Sequence, residues 1–115
     1  MIACHHNTPL AARARQILET APETELPMTY QQLAEALEPP RTIQRVASAL
    51  EQLMREDAEQ RRPFVAALVV SRRGEGLPAK GFFDLAVELG RFPLDPAQHA
   101  EAYHEEFRRA MAQRG

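Results

Sequence analysis

The sequence predicts a mainly α-helical protein with a small β-hairpin, arranged as a winged helix-turn-helix with an extra C-terminal helix. The prediction depends on three features in order: a short helical pattern that stops at Pro39-Pro40, a longer helical pattern, and an apolar run followed by a glycine-containing turn. The 115 residues are enough to bury a core without disulfides, and no linker interrupts them. We therefore predict one domain over residues 1–115, with a flexible tail at 1–7 and an appended helix at 95–115.

The first two helices are marked by residues that cap helix starts. Thr8-Pro9 places a capping threonine before a proline at the first helical position, and the apolar stripe behind it ends at Ala21-Pro22. Thr29 and Gln32 have the spacing of a capping box, in which each side chain accepts a hydrogen bond from the other residue's backbone N–H. We expect the second helix to be short, with about two turns.

The third helix is predicted to begin near Thr42, because Pro39-Pro40 prevents the second helix from continuing. Apolar residues keep helical spacing from there to about Glu59. The buried face at the start of this helix is predicted to consist of Ile43, Val46, Ala47 and Leu50.

The apolar run Phe64 to Val70 is too short for a typical helix and ends in β-formers, so we predict a buried strand. Ser71 to Pro78 has the composition of a hairpin tip, and a short return strand would lie within Leu77 to Gly81. A short helix ending at Gly90 is predicted next. The last helix is predicted to start at Asp95-Pro96.

The charge distribution favours the middle of the chain as the part that would bind DNA. The net charge is −2, which argues against a strong, indiscriminate DNA binder. Residues 41–80, however, carry eight Lys or Arg against five Asp or Glu, while the segments on either side are net acidic. The basic segment contains the third helix and the predicted hairpin.

In a helix-turn-helix, the second helix of the pair enters the major groove and its first residues reach base edges. Arginine recognises guanine, glutamine recognises adenine, and hydroxyl groups hold phosphates. The alternative is an ordinary solvated helix face and a polar loop. The residues predicted to contact double-stranded DNA are Arg41, Thr42, Gln44, Arg45, Ser48, Arg72, Arg73 and Lys80.

Two segments of this region resemble the winged-helix domain of O6-alkylguanine-DNA alkyltransferases and alkyltransferase-like proteins. They are Thr29-Tyr30-Gln31-Gln32-Leu33-Ala34 and Arg45-Val46-Ala47-Ser48-Ala49-Leu50. The resemblance implies a DNA-binding winged helix. It does not imply alkyl transfer, because no Pro-Cys-His-Arg motif occurs and Gln44 stands where that family has its intercalating arginine. The segments Ala67-Leu68-Val69-Val70 and Gly81-Phe82-Phe83 also resemble small bacterial winged-helix proteins of uncharacterised role, a likeness that implies a fold and no activity.

The leading hypothesis is a cytoplasmic DNA-binding regulator of transcription or of a mobile element, acting as a dimer through the last helix. The candidate dimer contacts are Tyr103, Phe107 and Met111. The rival hypothesis is a protein-interaction adaptor or inhibitor that uses the same scaffold without DNA. No secretion signal and no apolar run of about 18 residues is visible, so we expect neither export nor membrane insertion.

Enzymatic chemistry is not indicated by the remaining polar residues, and no cofactor is predicted. Cys4, His5 and His6 include metal-binding residue types, but a structural zinc site needs four ligands, so we expect an unstructured terminus instead. The charged pairs Glu56-Asp57, Arg61-Arg62 and Glu105-Glu106 are predicted to be solvated surface groups. The aromatic residues are predicted to form the core or an interface; they are Phe82, Phe83, Phe92, Tyr103 and Phe107.

Overall fold

The computed structural model describes residues 8–37, 42–72 and 76–114. The protein is mainly helical, as predicted, and its β-structure is limited to two short strands. The elements are α1 (Thr8–Thr20), β1 (Met28–Thr29), α2 (Tyr30–Ala36), α3 (Ile43–Glu59), β2 (Val69–Val70), α4 (Lys80–Glu88) and α5 (His99–Arg114). Single 3₁₀ turns occur at Glu23–Glu25, Val65–Leu68 and Pro96–Gln98.

The starts of α2 and α3 agree with the capping residues in the sequence, whereas α5 begins at His99, after a 3₁₀ turn capped by Asp95, and not at Asp95-Pro96 as predicted. The Thr29 Oγ1 accepts from the Gln32 N–H at 3.0 Å, and the Gln32 Oε1 accepts from the Thr29 N–H at 2.9 Å. Thr42 caps α3 in the same way, since its Oγ1 accepts from the Arg45 N–H at 3.1 Å. These bonds satisfy backbone donors that no helical carbonyl can reach. The predicted starts of α2 and α3 are therefore confirmed.

We expect Thr29→Ala to lower the free energy of unfolding by about 1 kcal/mol, because the Gln32 N–H loses its acceptor. Urea denaturation followed by circular dichroism would measure the change. Thr24→Ala is the matched control, because Thr24 is exposed in the 3₁₀ turn before β1. Equal losses in the two variants would contradict a capping role for Thr29.

The segment from Phe64 to Val70 is buried along its whole length, as predicted, but it is not a strand along its whole length. Val65–Leu68 forms a 3₁₀ turn and only Val69–Val70 is extended. α1, α3 and α5 all pack against this turn, so it lies at the centre of the core. The prediction of a continuous strand was wrong.

Two carboxylates explain why this segment forms a 3₁₀ turn where a strand was predicted. The Phe64 N–H donates to Glu106 at 2.7 Å and the Val65 N–H donates to Asp57 at 3.0 Å. A buried backbone N–H must find an acceptor, and a strand would have found it on a neighbouring strand. Here the acceptors are side chains of α3 and α5, so the backbone can turn without leaving donors unpaired.

The two strands are parallel neighbours, with Met28 opposite Val69 and Thr29 opposite Val70. The predicted hairpin is therefore corrected: the partner of β2 comes from before α2. A backbone bond from the Ser71 N–H to the Leu77 carbonyl at 2.9 Å closes the following loop. Within the described part of that loop, residues 71–72 and 76–79, no return strand forms.

The aromatic residues predicted to form the core or an interface pack mostly in the core. Phe82 makes edge-to-face contacts with Phe64, Phe92 and Tyr103 at centroid distances of 6.0, 5.7 and 6.1 Å. Tyr103 is 2% exposed, and its hydroxyl donates to the Ala67 carbonyl at 2.8 Å. This corrects its assignment as a dimer contact, because a buried ring offers no surface to a second subunit.

Candidate nucleic-acid interface

The first turn of α3 presents polar side chains to solvent. Thr42, Gln44 and Arg45 are all exposed, as the DNA-binding prediction requires. Ile43 is 43% exposed, although the sequence predicted it on the buried face. It precedes Val46, the first fully buried residue of α3, by one turn, and it lies at the rim of two neighbouring surface hollows.

Two predicted contacts are placed differently from the expectation. Ser48 is half-buried and already engaged within the fold, so it is less open to solvent than the prediction assumed. Lys80 is the first residue of α4 rather than a residue of a short return strand near a hairpin tip. Its ammonium forms an ion pair with Asp84 at 3.0 Å, which offsets its charge locally. Arg41 and Arg73 lie outside the described residues.

Arg72 lies close in space to the start of α3. A shallow hollow is lined by the start of α2, the first residue of α3 and the loop after β2; its residues are Tyr30, Gln31, Ile43, Ser71 and Arg72. The parallel pairing of β1 and β2 produces this arrangement, because it places the loop after β2 beside the residues that begin α2. Arg72 and the first turn of α3 therefore share one region of the surface.

Most other arginines of the fold are engaged by carboxylates, but Arg45 and Arg72 are not. Arg15, Arg62 and Arg91 bind buried carboxylates at 2.9, 3.1 and 2.7 Å. Within residues 8–37, 42–72 and 76–114, neither Arg45 nor Arg72 forms an ion pair. Both guanidinium groups are exposed, so their charges are available to an external anion.

Tyr30 fixes the position of the segment before α4. Its hydroxyl oxygen accepts from the Ala79 N–H at 3.1 Å. Burial raises the pKa of the Tyr30 phenol, so the group stays neutral around physiological pH. Beside it, α3 and α4 line a predominantly apolar surface hollow of about 100 Å³, whose wall includes Ala47, Met54 and Phe82. The contact ties the start of α2 to the start of α4.

The histidines of the last helix have neighbours that suit a packed surface rather than a metal centre. His99 stacks on Phe83 with a centroid distance of 5.3 Å, and its Nε2 lies 2.8 Å from the Pro93 carbonyl oxygen. Among the residues with described coordinates, no group of three or more His, Cys, Asp or Glu could hold a metal ion. The predicted tail residues Cys4, His5 and His6 lie outside that part of the chain.

Asp57 is the first functional group that the sequence prediction missed. It is 0% exposed, and its Oδ1 lies 2.9 Å from Arg15 and 3.1 Å from Arg62. The sequence does indicate that Asp57 is buried, because Asp57 follows Leu50, Leu53 and Met54 on the apolar stripe of α3. The prediction of a solvated Asp57 and a solvated Arg62 was wrong, since the two form a partly buried ion pair.

Glu106 is the second missed group, and its environment resembles that of Asp57. It is 2% exposed, and its Oε2 accepts from the Arg91 guanidinium at 2.7 Å. It lies three residues after Tyr103 and four before Ala110, both of which are buried, so helical spacing places it on the core face. Both carboxylates bind backbone N–H groups and arginines, which gives them a structural rather than a catalytic environment.

None of the described helices combines the length and the apolar composition that crossing a lipid bilayer requires. Comparison with known proteins finds no family model, no curated protein and no solved structure that matches the chain. The likeness to the alkyltransferase winged helix therefore remains a prediction from the two segments that carry it.

Proposed function

We propose that the protein binds double-stranded DNA, with α2 and α3 acting as a helix-turn-helix and the first turn of α3 in the major groove. One observation supports this proposal above the others: Arg45 and Arg72 are exposed, unpaired with any described carboxylate, and associated with the same end of α3. Elsewhere in the described chain, most arginines are engaged by acidic groups or backbone carbonyls. A surface that keeps positive charge uncompensated in a net acidic protein is suited to a polyanion.

The exposed side chains of this surface would make two kinds of contact with the duplex, to bases and to phosphates. Gln44 can pair with adenine through its amide and Arg45 can pair with guanine through its guanidinium, both in the major groove. Arg72, on the loop after β2, would contact the phosphate backbone beside the helix. This loop takes the place of the predicted wing, because the described residues contain no hairpin. A regulator of transcription or of a mobile element would use such a surface.

The number of available cations sets the expected strength of binding. Each phosphate neutralised by an arginine releases counterions, so the logarithm of the affinity falls with the logarithm of the salt concentration, with a slope of about 0.9 per contact. A surface with few free arginines and a net charge of −2 should therefore bind weakly and detectably only at low salt.

The double variant R45A/R72A is expected to weaken duplex DNA binding by about tenfold or more at low salt and to reduce the salt slope by about two. Fluorescence anisotropy with a labelled duplex over a series of salt concentrations would measure both quantities. The matched control is R55A/R108A, which removes the same charge from exposed residues paired with Glu88 and Glu105. No binding by the unmodified protein at low salt, or equal losses in both double variants, would overturn the proposal.

A protein-interaction adaptor is the second candidate, and one observation favours it. Leu94 is 83% exposed in the segment before α5, and the half-buried Phe107 and Met111 lie on that helix. An exposed large apolar side chain is suited to a protein contact. For self-association, size-exclusion chromatography with light scattering should give a dimer for the protein and a monomer for Leu94→Lys. A monomer in both cases would remove the homodimer from consideration.

A further inference from the structure

A cleft lined by arginines lies at the C-terminal end of α3. Its volume is about 360 Å³ and it is lined by four arginines together with Ala58, Pro63 and Leu89. The arginines are Arg61, Arg62, Arg91 and Arg109. None of the described residues that line it is an Asp or a Glu. α3 has 17 residues and is about 25 Å long, so the cleft lies far from the turn that begins at Thr42.

The four positive charges are only partly compensated. Arg62 and Arg91 bind the buried carboxylates of Asp57 and Glu106 directly. Arg109 reaches Glu105 only at 4.0 Å, and that carboxylate is already bound by the Nε of Arg108 at 3.1 Å. Arg61 has no ion pair within the described ranges. The cleft therefore keeps an excess of positive charge that the surrounding fold does not neutralise.

One donor of an arginine that lines the cleft also lacks an acceptor. The Nε of Arg62 is buried and no described residue accepts its hydrogen bond, although the terminal nitrogen of the same side chain binds Asp57. A buried donor without an acceptor is unfavourable, so the fold alone does not fully satisfy the Arg62 guanidinium.

The backbone at Arg61 gives a separate reason to assign a role to its side chain. Its φ is +59°, the left-handed conformation that glycine usually supplies at this position after a helix. The bonds of that motif are present: the Arg61 N–H reaches the Ala58 carbonyl at 3.2 Å and the Arg62 N–H reaches the Asp57 carbonyl at 2.8 Å. An arginine here is less favourable for folding than a glycine. A function of the guanidinium group would explain why the position holds arginine.

We propose that this cleft binds a small phosphate-bearing ligand with at least two negative charges. Guanidinium groups match phosphate oxygens in geometry and can bind them through two parallel hydrogen bonds. Arg61 supplies an exposed charge without an ion pair among the described residues, Arg109 supplies an exposed charge whose carboxylate partner lies 4.0 Å away, and the Arg62 side chain also lines the cleft. Arg91 holds the opposite wall in place through Glu106 and the Arg62 carbonyl, to which it donates at 3.0 Å. The site is independent of the proposed DNA surface.

Isothermal titration calorimetry of the full chain with pyrophosphate at low ionic strength would test the site. We expect saturable binding of one pyrophosphate per chain. Arg61→Gly should raise the Tm by roughly 4–8 °C, because glycine adopts this backbone conformation without strain, and should still weaken pyrophosphate binding by at least tenfold. A purely structural arginine would give the first effect without the second.

Two further variants keep the test decisive. Arg109→Ala, on the opposite wall, should also weaken pyrophosphate binding by at least severalfold without touching the loop after α3. R45A/R72A removes the proposed DNA contacts, which do not line the cleft, and should not change the affinity. Absence of saturable binding to the unmodified protein, or an equal loss in the Arg109→Ala and R45A/R72A variants, would overturn the proposal.

Discussion

Asp57→Ala is expected to lower the free energy of unfolding by about 3–5 kcal/mol, because it removes one partner from a buried ionic network. The carboxylate is 0% exposed and binds Arg15, Arg62 and the Val65 N–H. Its loss removes the nearest and most buried carboxylate partner of Arg15, whose side chain is only 17% exposed, and leaves a buried backbone donor without an acceptor. Chemical denaturation followed by circular dichroism would measure the change.

The neighbouring Glu56 provides a control of the same charge. Its side chain is 43% exposed and lies 3.4 Å from Arg15, so Glu56→Ala should cost less than about 1 kcal/mol. If the two variants lost equal stability, the buried network around Asp57 would not stabilise the fold more than the exposed Glu56 does. A near-neutral Asp57→Ala would lead to the same conclusion.

Glu106→Ala is expected to cost about 3–5 kcal/mol for the same physical reason. The carboxylate binds Arg91 and the Phe64 N–H, each at 2.7 Å, and Arg91 in turn lies 4.3 Å from the centre of the Phe64 ring. Glu106→Gln keeps an acceptor for the N–H but loses the charge, so a smaller cost of about 1–3 kcal/mol is expected. Thermal and urea unfolding of both variants would establish this order.

Glu105 is the matched control for Glu106, because it is the adjacent residue and is exposed on α5. The Arg108 side chain lowers the pKa of the Glu105 carboxyl through hydrogen bonding and charge. Because that pair is solvated, Glu105→Ala should leave the unfolding curve within its experimental error. A loss comparable to that of Glu106→Ala would contradict the distinction between the buried and the exposed carboxylate.

The two buried carboxylates, Asp57 and Glu106, stabilise the segment that leads to the proposed DNA surface. Asp57 and Glu106 hold Phe64 and Val65 at the start of the buried central segment, which continues through β2. Arg72 follows β2 by two residues, so its position beside the start of α3 depends on this segment. Variants that loosen the segment should therefore be compared with Arg72 variants only under conditions in which they are fully folded.

The parts of the fold that were predicted correctly depend on short-range chemistry. Thr29 and Thr42 cap helices through bonds to residues three positions away, and Gly90, with a φ of +79°, follows α4 as the sequence indicated. The residue types of the candidate site were also visible, because Gln44 and Arg45 are close to a recognisable helix start. Local spacing was sufficient in each case, since the interacting groups are neighbours along the chain.

The sequence by itself therefore determined the helices, the starts of α2 and α3 and the burial of the segment 64–70. Only the tertiary structure decided that this segment turns, that β2 pairs with β1, and that Arg72 reaches the start of α3. These outcomes depend on groups far apart in the chain, such as Phe64 and Glu106, which are separated by 42 residues. A buried N–H must have an acceptor, but its residue type does not reveal whether a strand or a distant carboxylate will provide one.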